Sequence, residues 1–123
     1  MAAALATLDV LEAGDGAVYR GLEARGTRLM QGLASLARKR ELAMKVQGLP
    51  AIFQCFFTDG PPPRNYREAV ACDRDKALAF HMALQEEGIR TNQNSKFFLS
   101  VAHDDAIIDE TLAAADRAMA AIA

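Results

Sequence analysis

A chain of 123 residues has room for one domain, and its composition, 51% hydrophobic and 24% charged, is that of an ordinary globular protein. The formal net charge of −2 gives no electrostatic footprint for nucleic acid. Cys55 and Cys72 are too few for a disulfide framework and lack metal-ligand spacing, and the N-terminus resembles neither a signal peptide nor a membrane span. We therefore expect a reduced, cytoplasmic protein with no metal site and no membrane contact.

The first 39 residues carry two helical patterns separated by turn-forming residues. Leucines at positions 5, 8 and 11 predict a helix over residues 2–13, and the sequence Gly14-Asp15-Gly16 predicts a turn. A second apolar stripe predicts a helix over residues 17–39, on which Arg25 is the one charged intrusion. No capping residue precedes the first helix, which suggests that it continues a helix of a longer parent chain.

The next segment changes from helical to strand periodicity. Residues 44–47 alternate, Gly48-Leu49-Pro50 indicates a turn, and the apolar run over residues 52–57 predicts a largely buried strand. These two strands should form an antiparallel pair. Residues 58–70 are predicted to be a loop, because Gly60 is followed by three prolines, which cannot donate backbone hydrogen bonds.

The last third of the chain predicts two more helices and two short strands. Asp73 is placed to cap a helix over residues 74–87 that ends at Gly88. Short strands are predicted at residues 89–91 and 96–101, joined by a polar link, and a final helix follows His103-Asp104-Asp105. The order α-α-β-β-α-β-β-α predicts an α+β fold, with a small antiparallel sheet of three to four strands and helices packed on one face.

A search for reactive groups finds no catalytic, cofactor-binding or metal-binding residue. His81 lies on a predicted helix beside an aromatic residue, which is typical of a structural histidine. His103 with Asp104 and Asp105 could in principle hold a metal or relay a proton, but each residue at a helix start has a capping role open to it, and capping is the favoured interpretation. No glycine-rich phosphate loop and no nucleophile elbow is present.

Several stretches together resemble the C-terminal domain of the class III aminotransferases, and within that family most closely the glutamate-1-semialdehyde 2,1-aminomutases. The similarity keeps its order and spacing over nearly the whole chain. It is carried by the segments Phe56-Phe57-Thr58-Asp59-Gly60, Asn65-Tyr66, Ala71-Cys72-Asp73, Phe80-His81-Met82-Ala83-Leu84, Glu87-Gly88-Ile89, Ser100-Val101-Ala102-His103 and Ile108-Asp109.

The resemblance implies a parent enzyme that uses pyridoxal phosphate (PLP), an aminotransferase or aminomutase acting on a small amino acid or amine, generally as a homodimer. Residues 1–13 would then be the end of an inter-domain helix, and residues 14–123 the small C-terminal domain that closes over the substrate. In the family, the lysine and the carboxylate that PLP needs come from a large domain, and none of the lysines here, Lys39, Lys45, Lys76 and Lys96, matches the cofactor lysine motif. The chain alone is therefore not expected to be catalytic without its missing large domain.

One departure from the family concerns the segment before the last strand. Aminomutases typically carry a Phe-Glu-Ala-Gly-Phe-like segment there, whereas this chain has a shorter stretch without the acid at residues 92–97. A related aminotransferase therefore fits as well as an aminomutase. The substrate-side candidates are Arg90, Thr91, Asn92, Asn94 and Lys96, and the alternative for each is a solvated loop position.

Two hypotheses without catalysis remain beside the enzyme domain. The chain could be a free-standing α+β binding or dimerisation module that acts through its sheet face. It could also be a remnant of an enzyme whose large domain has lost the cofactor lysine and which now only dimerises. The upstream reading frame distinguishes the three, because only the enzyme hypothesis requires a large domain with an intact lysine.

Overall fold

The computed structural model describes residues 1–123 and contains four helices and one three-stranded antiparallel sheet, which confirms the α+β class. The elements are α1 (Ala2–Lys39), β1 (Met44–Leu49), β2 (Ile52–Phe57), α2 (Tyr66–Val70), α3 (Arg74–Glu86), β3 (Lys96–Phe98) and α4 (Asp105–Ile122). None of the helices combines the length and the continuous apolar character that crossing a lipid bilayer requires.

Helix α1 consists of two helical segments separated by a break, as the turn sequence Gly14-Asp15-Gly16 predicts. The backbone angles are non-helical at residues 13–16, and the carbonyl oxygen of Asp15 accepts a hydrogen bond from Arg20 Nη1 (2.5 Å). Before this break nearly every residue is exposed, and only Leu11 is half-buried. After it, Leu29 and Leu33 are fully buried. The second segment therefore belongs to the packed domain, whereas the first extends from it.

The sheet has the order β1-β2-β3, with both neighbouring pairs antiparallel. Leu49 pairs with Ile52 at the β1–β2 hairpin, and Ile52 pairs on its other side with Phe98 of β3. Side chains alternate along β2, so that Phe53 and Cys55 point into the core and Ile52 points to the opposite face. The prediction of a largely buried strand is therefore correct for one face of β2 only.

The core lies between the sheet and the helices. As predicted, the helices pack on one face of the sheet. Helices α1 and α3 contact the sheet, and α4 packs across both of them. Two aromatic pairs stabilise the core: the rings of Phe53 and Phe97 stack at 5.0 Å within the sheet, and those of Phe57 and Phe80 meet edge to face at 5.7 Å between the sheet and α3. Such pairs contribute about 0.5–1.5 kcal/mol each beyond the burial of their area.

The predicted strand at residues 89–91 is wrong, because this segment is tied to α3 instead of the sheet. The N–H of Ile89 donates to the carbonyl of Leu84 (2.8 Å), which closes the C-terminus of α3 around Gly88, whose φ of +84° suits glycine. The Thr91 hydroxyl pairs with Nδ1 of His81 (2.9 Å). The sheet consequently has three strands, and β3 ends at Phe98, three residues before its predicted end.

The predicted loop at residues 58–70 contains a short helix at its end. Asn65 begins α2, and its Oδ1 accepts a hydrogen bond from the N–H of Glu68 (3.1 Å). The Glu68 carboxylate in turn accepts from the N–H of Arg64 (2.8 Å), so two free donors at the helix start are satisfied. This local pairing stabilises a helix too short to show a periodic apolar pattern.

Candidate ligand cleft and uncovered sheet face

A cavity of about 300 Å³ lies between α2, the start of α3 and the sheet. Its apolar lining includes Phe56, Phe57 and Ala77, which we call the floor. Polar side chains come from the sheet (Gln54 and Lys96), from α3 (Arg74) and from the loop before β3 (Asn94). The other lining residues are Cys55, Tyr66, Ala69, Val70, Cys72 and Asp73. We call this cavity the α2–α3 cleft.

The α2–α3 cleft carries an excess of positive charge. Asp73 is its one acidic lining residue, and the carboxylate is engaged at the start of α3, where Oδ1 accepts from the N–H of Lys76 (2.8 Å). This bond confirms the predicted helix cap. Arg74 and Lys96 take part in none of the ion pairs of the structure. The two cations are therefore available to an anionic ligand.

The loop before β3 places Asn94 and Lys96 at the cleft. Oδ1 of Asn92 accepts hydrogen bonds from the N–H groups of Asn94 (3.1 Å) and Lys96 (3.0 Å). Ser95 has a positive φ of 52° and is completely buried, and its hydroxyl donates to the carbonyl of Ala77 on α3 (2.8 Å). These bonds pin the loop to the helix and keep the two cleft residues in place.

The structure brings two of the five predicted substrate-side residues together. Asn94 and Lys96 line the cleft, Asn92 shapes the loop that carries them, Thr91 is bonded to His81, and Arg90 is exposed outside the cleft. Whether any of them contacts a substrate stays a prediction. Sequence reasoning did not find Arg74, Gln54 or Tyr66, because these residues lie in three separate elements and form no local motif.

The two cysteines differ in accessibility although both line the cleft. Cys55 is completely buried, and this burial raises the pKa of its thiol strongly, as expected for a small apolar residue. Cys72 is half-buried, and its thiol donates to the carbonyl of Glu68 (3.4 Å). Cys72 is therefore the thiol of this protein that reagents can reach.

Both histidines have structural contacts. His81 is buried and bonded to Thr91. Nδ1 of His103 accepts a hydrogen bond from the N–H of Ser100 (2.9 Å) in the turn before α4. Asp104 caps α4 by accepting from the N–H of Ile107 (2.9 Å), so the capping interpretation is confirmed for Asp104. No three histidine, cysteine or acidic side chains lie close enough together to hold a metal ion.

The sheet face opposite the helices is uncovered and apolar at one end. Leu49, Ile52 and Phe98 are cross-strand neighbours in one row that spans all three strands. They are 74%, 51% and 58% exposed, which is unusual for large apolar side chains side by side. The next row towards the cleft is polar and consists of Gln47, Gln54 and Lys96. We call the three apolar residues the apolar row.

Comparison with known proteins finds this chain similar to part of larger enzymes. No protein-family model matches the sequence. The chain is 40% identical over 116 residues to glutamate-1-semialdehyde 2,1-aminomutase of Methanothrix thermoacetophila, an alignment that covers 93% of this chain and 26% of the aminomutase. The chain is similar to a C-terminal part of that enzyme. It thus spans about a quarter of the length of the curated relatives it matches.

Solved structures show the same fold inside larger transaminases. A transaminase with PLP bound matches with a TM-score of 0.78 at 17% identity, over 96% of this chain and 26% of its own length. The β-phenylalanine aminotransferase of Variovorax paradoxus matches with a TM-score of 0.68 at 26% identity, over 76% of this chain and 21% of its own. In each case most of the neighbour's chain lies outside the matched domain.

The residues of this chain do not fit PLP. A PLP site needs a lysine amine, donors for a phosphate and a carboxylate for the pyridine nitrogen. Lys96 is the one lysine that lines the α2–α3 cleft, and the only carboxylate there, Asp73, is already engaged as the cap of α3. Lys39 is paired with Asp116, and Lys45 lies outside the cleft on the sheet. Lys76 lines a neighbouring cavity whose other charged residues, Glu41, Asp59 and Asp73, are acidic and would repel a phosphate. No chemical step through the cofactor is assigned to these residues.

Proposed function

We propose that this chain is the small C-terminal domain of a PLP-dependent aminotransferase or aminomutase, which exchanges an amino group with an oxo group on a small amino acid or amine. The observation that carries the proposal is the 40% identity over 93% of the chain to about a quarter of an aminomutase. In this proposal residues 1–13 end an inter-domain helix, residues 14–123 form the domain, and a large domain holds PLP. The parent is a cytoplasmic homodimer.

The apolar row supports a position against that large domain. Leu49, Ile52 and Phe98 are exposed in this chain, and their removal from water would favour docking. Leu5 and Leu8 of the N-terminal segment are exposed as well, as expected for a helix that packs elsewhere in a longer chain. A docked sheet face would wall off the substrate and exclude water from the reacting groups.

Of the predicted substrate-side residues, Lys96 lies in the row next to the apolar row, and Asn94 lies two residues before it. Asn94 and Lys96 are the primary candidates for substrate contact, because both line an open cleft. Arg90, Thr91 and Asn92 precede them on the same segment and complete the proposed substrate side. The role of all five is to select and hold the substrate, while the large domain supplies the reactive lysine.

A chimera tests the proposal. We would replace the matching quarter of the Methanothrix aminomutase by this chain and compare it with the aminomutase truncated before that quarter. We expect a PLP-loaded chimera whose amino-transfer activity exceeds that of the truncated protein by roughly 100-fold, because closure of the site orients the reacting groups. Activity at the level of the truncated protein would contradict the proposal.

Matched variants of the chimera test the docking face. Leu49→Asp combined with Phe98→Asp should prevent closure and lower activity towards that of the truncated protein, because the charges would have to be buried. Met82→Asp is the control, since Met82 is an exposed apolar residue on α3 that belongs neither to the apolar row nor to the α2–α3 cleft. Equal activity of the two variants would show that the domain docks through another surface.

The apolar row also favours a second candidate function, a module that dimerises through its sheet face. Sedimentation equilibrium of the isolated chain would measure this. A tight dimer that Leu49→Asp converts to monomers, together with an inactive chimera, would favour the dimerisation module over the enzyme domain.

A further inference from the structure

We propose that the α2–α3 cleft binds a small carboxylate whose other end is apolar. The proposed function specifies neither this class of ligand nor its binding place. The inference rests on the proposed function only in equating that ligand with the substrate or product of the parent enzyme. The binding itself depends on this chain alone.

The size and floor of the cleft select the apolar part of the ligand. Its volume of about 300 Å³ lies at the lower end of the range for small-molecule sites. Phe56, Phe57 and Ala77 supply apolar lining. A short aromatic or branched aliphatic group that contacts this lining would be removed from water with a gain in free energy.

The charges around the floor select the carboxylate. Arg74 approaches from α3 and Lys96 from β3, and neither has an acidic partner. A guanidinium offers a planar fork of N–H donors, and an ammonium offers a compact charge, and both match a carboxylate. The amides of Gln54 and Asn94 lie in the same lining. An amine without a carboxylate would be repelled by both cations.

The cleft is largely formed before any ligand binds. Asn92 fixes the loop through two hydrogen bonds from backbone N–H groups, and Ser95 ties the same loop to Ala77 of α3. The backbone at Asn94 and Lys96 therefore needs little ordering when a ligand arrives, which lowers the entropic cost of binding.

Binding should be measured on the chain itself by titration calorimetry with 3-phenylpropanoate as the probe. We expect a Kd of about 1 mM or below, which is ordinary for a small ligand in an open cleft. Lys96→Gln and Arg74→Gln should each weaken binding by about tenfold, because each removes one charge-assisted bond. Lys45→Gln is the control, since Lys45 lies on the same sheet but outside the cleft. Circular dichroism checks that every variant is folded.

Cys72 gives a second, independent readout. It lines the cleft and is half-buried, whereas Cys55 is completely buried. Bound 3-phenylpropanoate should slow the alkylation of Cys72 by iodoacetamide in proportion to occupancy, as followed by intact mass. The same concentration of acetate, which lacks the apolar end, should leave the rate unchanged.

Three results would overturn the inference: no heat and no protection of Cys72 at ~20 mM probe, equal binding of 3-phenylpropylamine, or Lys96→Gln and Arg74→Gln behaving like Lys45→Gln. Its failure is distinguishable from failure of the proposed function. An active chimera with a cleft that binds no carboxylate rejects the inference alone, whereas carboxylate binding with an inactive chimera rejects the enzyme domain alone.

Discussion

Gly26 shows how one residue can be unfavourable for its helix and required by the fold. In the middle of α1 a glycine weakens the helix by about 1 kcal/mol relative to alanine. Here α1 meets the turn of the β1–β2 hairpin so closely that a Cβ at position 26 would lie 2.0 Å from the carbonyl oxygen of Pro50. The obstacle is backbone and cannot swing aside. The hairpin therefore packs against α1 only because this side chain is absent.

Substitution of Gly26 tests this contact. Gly26→Ala should lower the free energy of unfolding by about 1–3 kcal/mol, because helix and hairpin must separate. Gly21→Ala is the control: its Cβ would lie 3.2 Å from the flexible end of Arg25, so the gain in helix propensity, about 0.5–1 kcal/mol, should prevail. Urea unfolding measures both. Stabilisation by Gly26→Ala would show that the hairpin is not packed on α1.

Asp116 joins α4 to the end of α1 through charge. Nε of Arg40 donates to its Oδ1 (3.0 Å), and Nζ of Lys39 lies 3.8 Å from its Oδ2. The hydrogen bond from Arg40 holds the pKa of Asp116 below its ordinary value. Since the folded pKa lies below that of the unfolded chain, the stability from Asp116 is complete above about pH 4 and is lost as the pH falls through the folded pKa.

A pH series checks this direction. Asp116→Asn should lower the urea midpoint at pH 7, and the difference from the wild type should shrink as the pH falls from about 4 through the lowered pKa of the folded carboxylate. Asp9→Asn serves as the control, because Asp9 lies in the exposed N-terminal segment and forms no ion pair. A difference that grows on acidification would mean that the pKa is raised.

At the scale of elements, the two segments of α1 differ in what stabilises them. The segment after residue 16 packs Leu29 and Leu33 into the core. The segment before residue 13 leaves Leu5 and Leu8 exposed. An isolated helix shorter than about 12–15 residues is marginal in water, so this segment depends on packing that the domain does not supply.

Deletion of residues 1–13 should change the free energy of unfolding by no more than about 0.5 kcal/mol. In the intact chain, the amides of residues 5–12 should exchange with deuterium far faster than those of residues 29–37, which belong to the same helix and serve as the internal control. Equal protection of the two groups would show that the first segment is stable by itself.

At the scale of the whole molecule, the four lysines lie in different elements, which bears on whether this chain can hold PLP covalently. Lys39 lies at the end of α1, Lys45 and Lys96 lie in the sheet, and Lys76 lies in α3. The lining of the α2–α3 cleft includes Lys96 alone among them. A cofactor held covalently needs one lysine with phosphate and pyridine contacts around it, and the chain does not assemble these together.

Incubation of the purified chain with PLP, followed by borohydride, should give weak labelling spread over several lysines. The complete Methanothrix aminomutase carried through the same procedure is the positive control, since a complete PLP enzyme is expected to give one dominant site. Peptide mass mapping measures the distribution. Strong labelling of a single lysine in the isolated chain would contradict the proposal that a separate large domain holds PLP.

The sequence by itself determined most elements of the fold, because helix and strand periodicity, the caps at Asp73 and Asp104 and the stop at Gly88 depend on neighbours along the chain. The sequence also resembled the aminotransferase family, and the 40% identity to the Methanothrix aminomutase agrees with that resemblance. Where it failed, the reason was local hydrogen bonding that leaves no periodic signal, as in α2, or a short extended segment held by α3 instead of the sheet.

Only the tertiary structure decided which residues meet. Strand register places Leu49, Ile52 and Phe98 in one row, and the layering of helices on the opposite face leaves that row uncovered. Arg74, Asn94 and Lys96 share a cleft because a loop tied to α3 brings the start of β3 to it. Such proximities join elements far apart along the chain, and they follow from packing and from strand register.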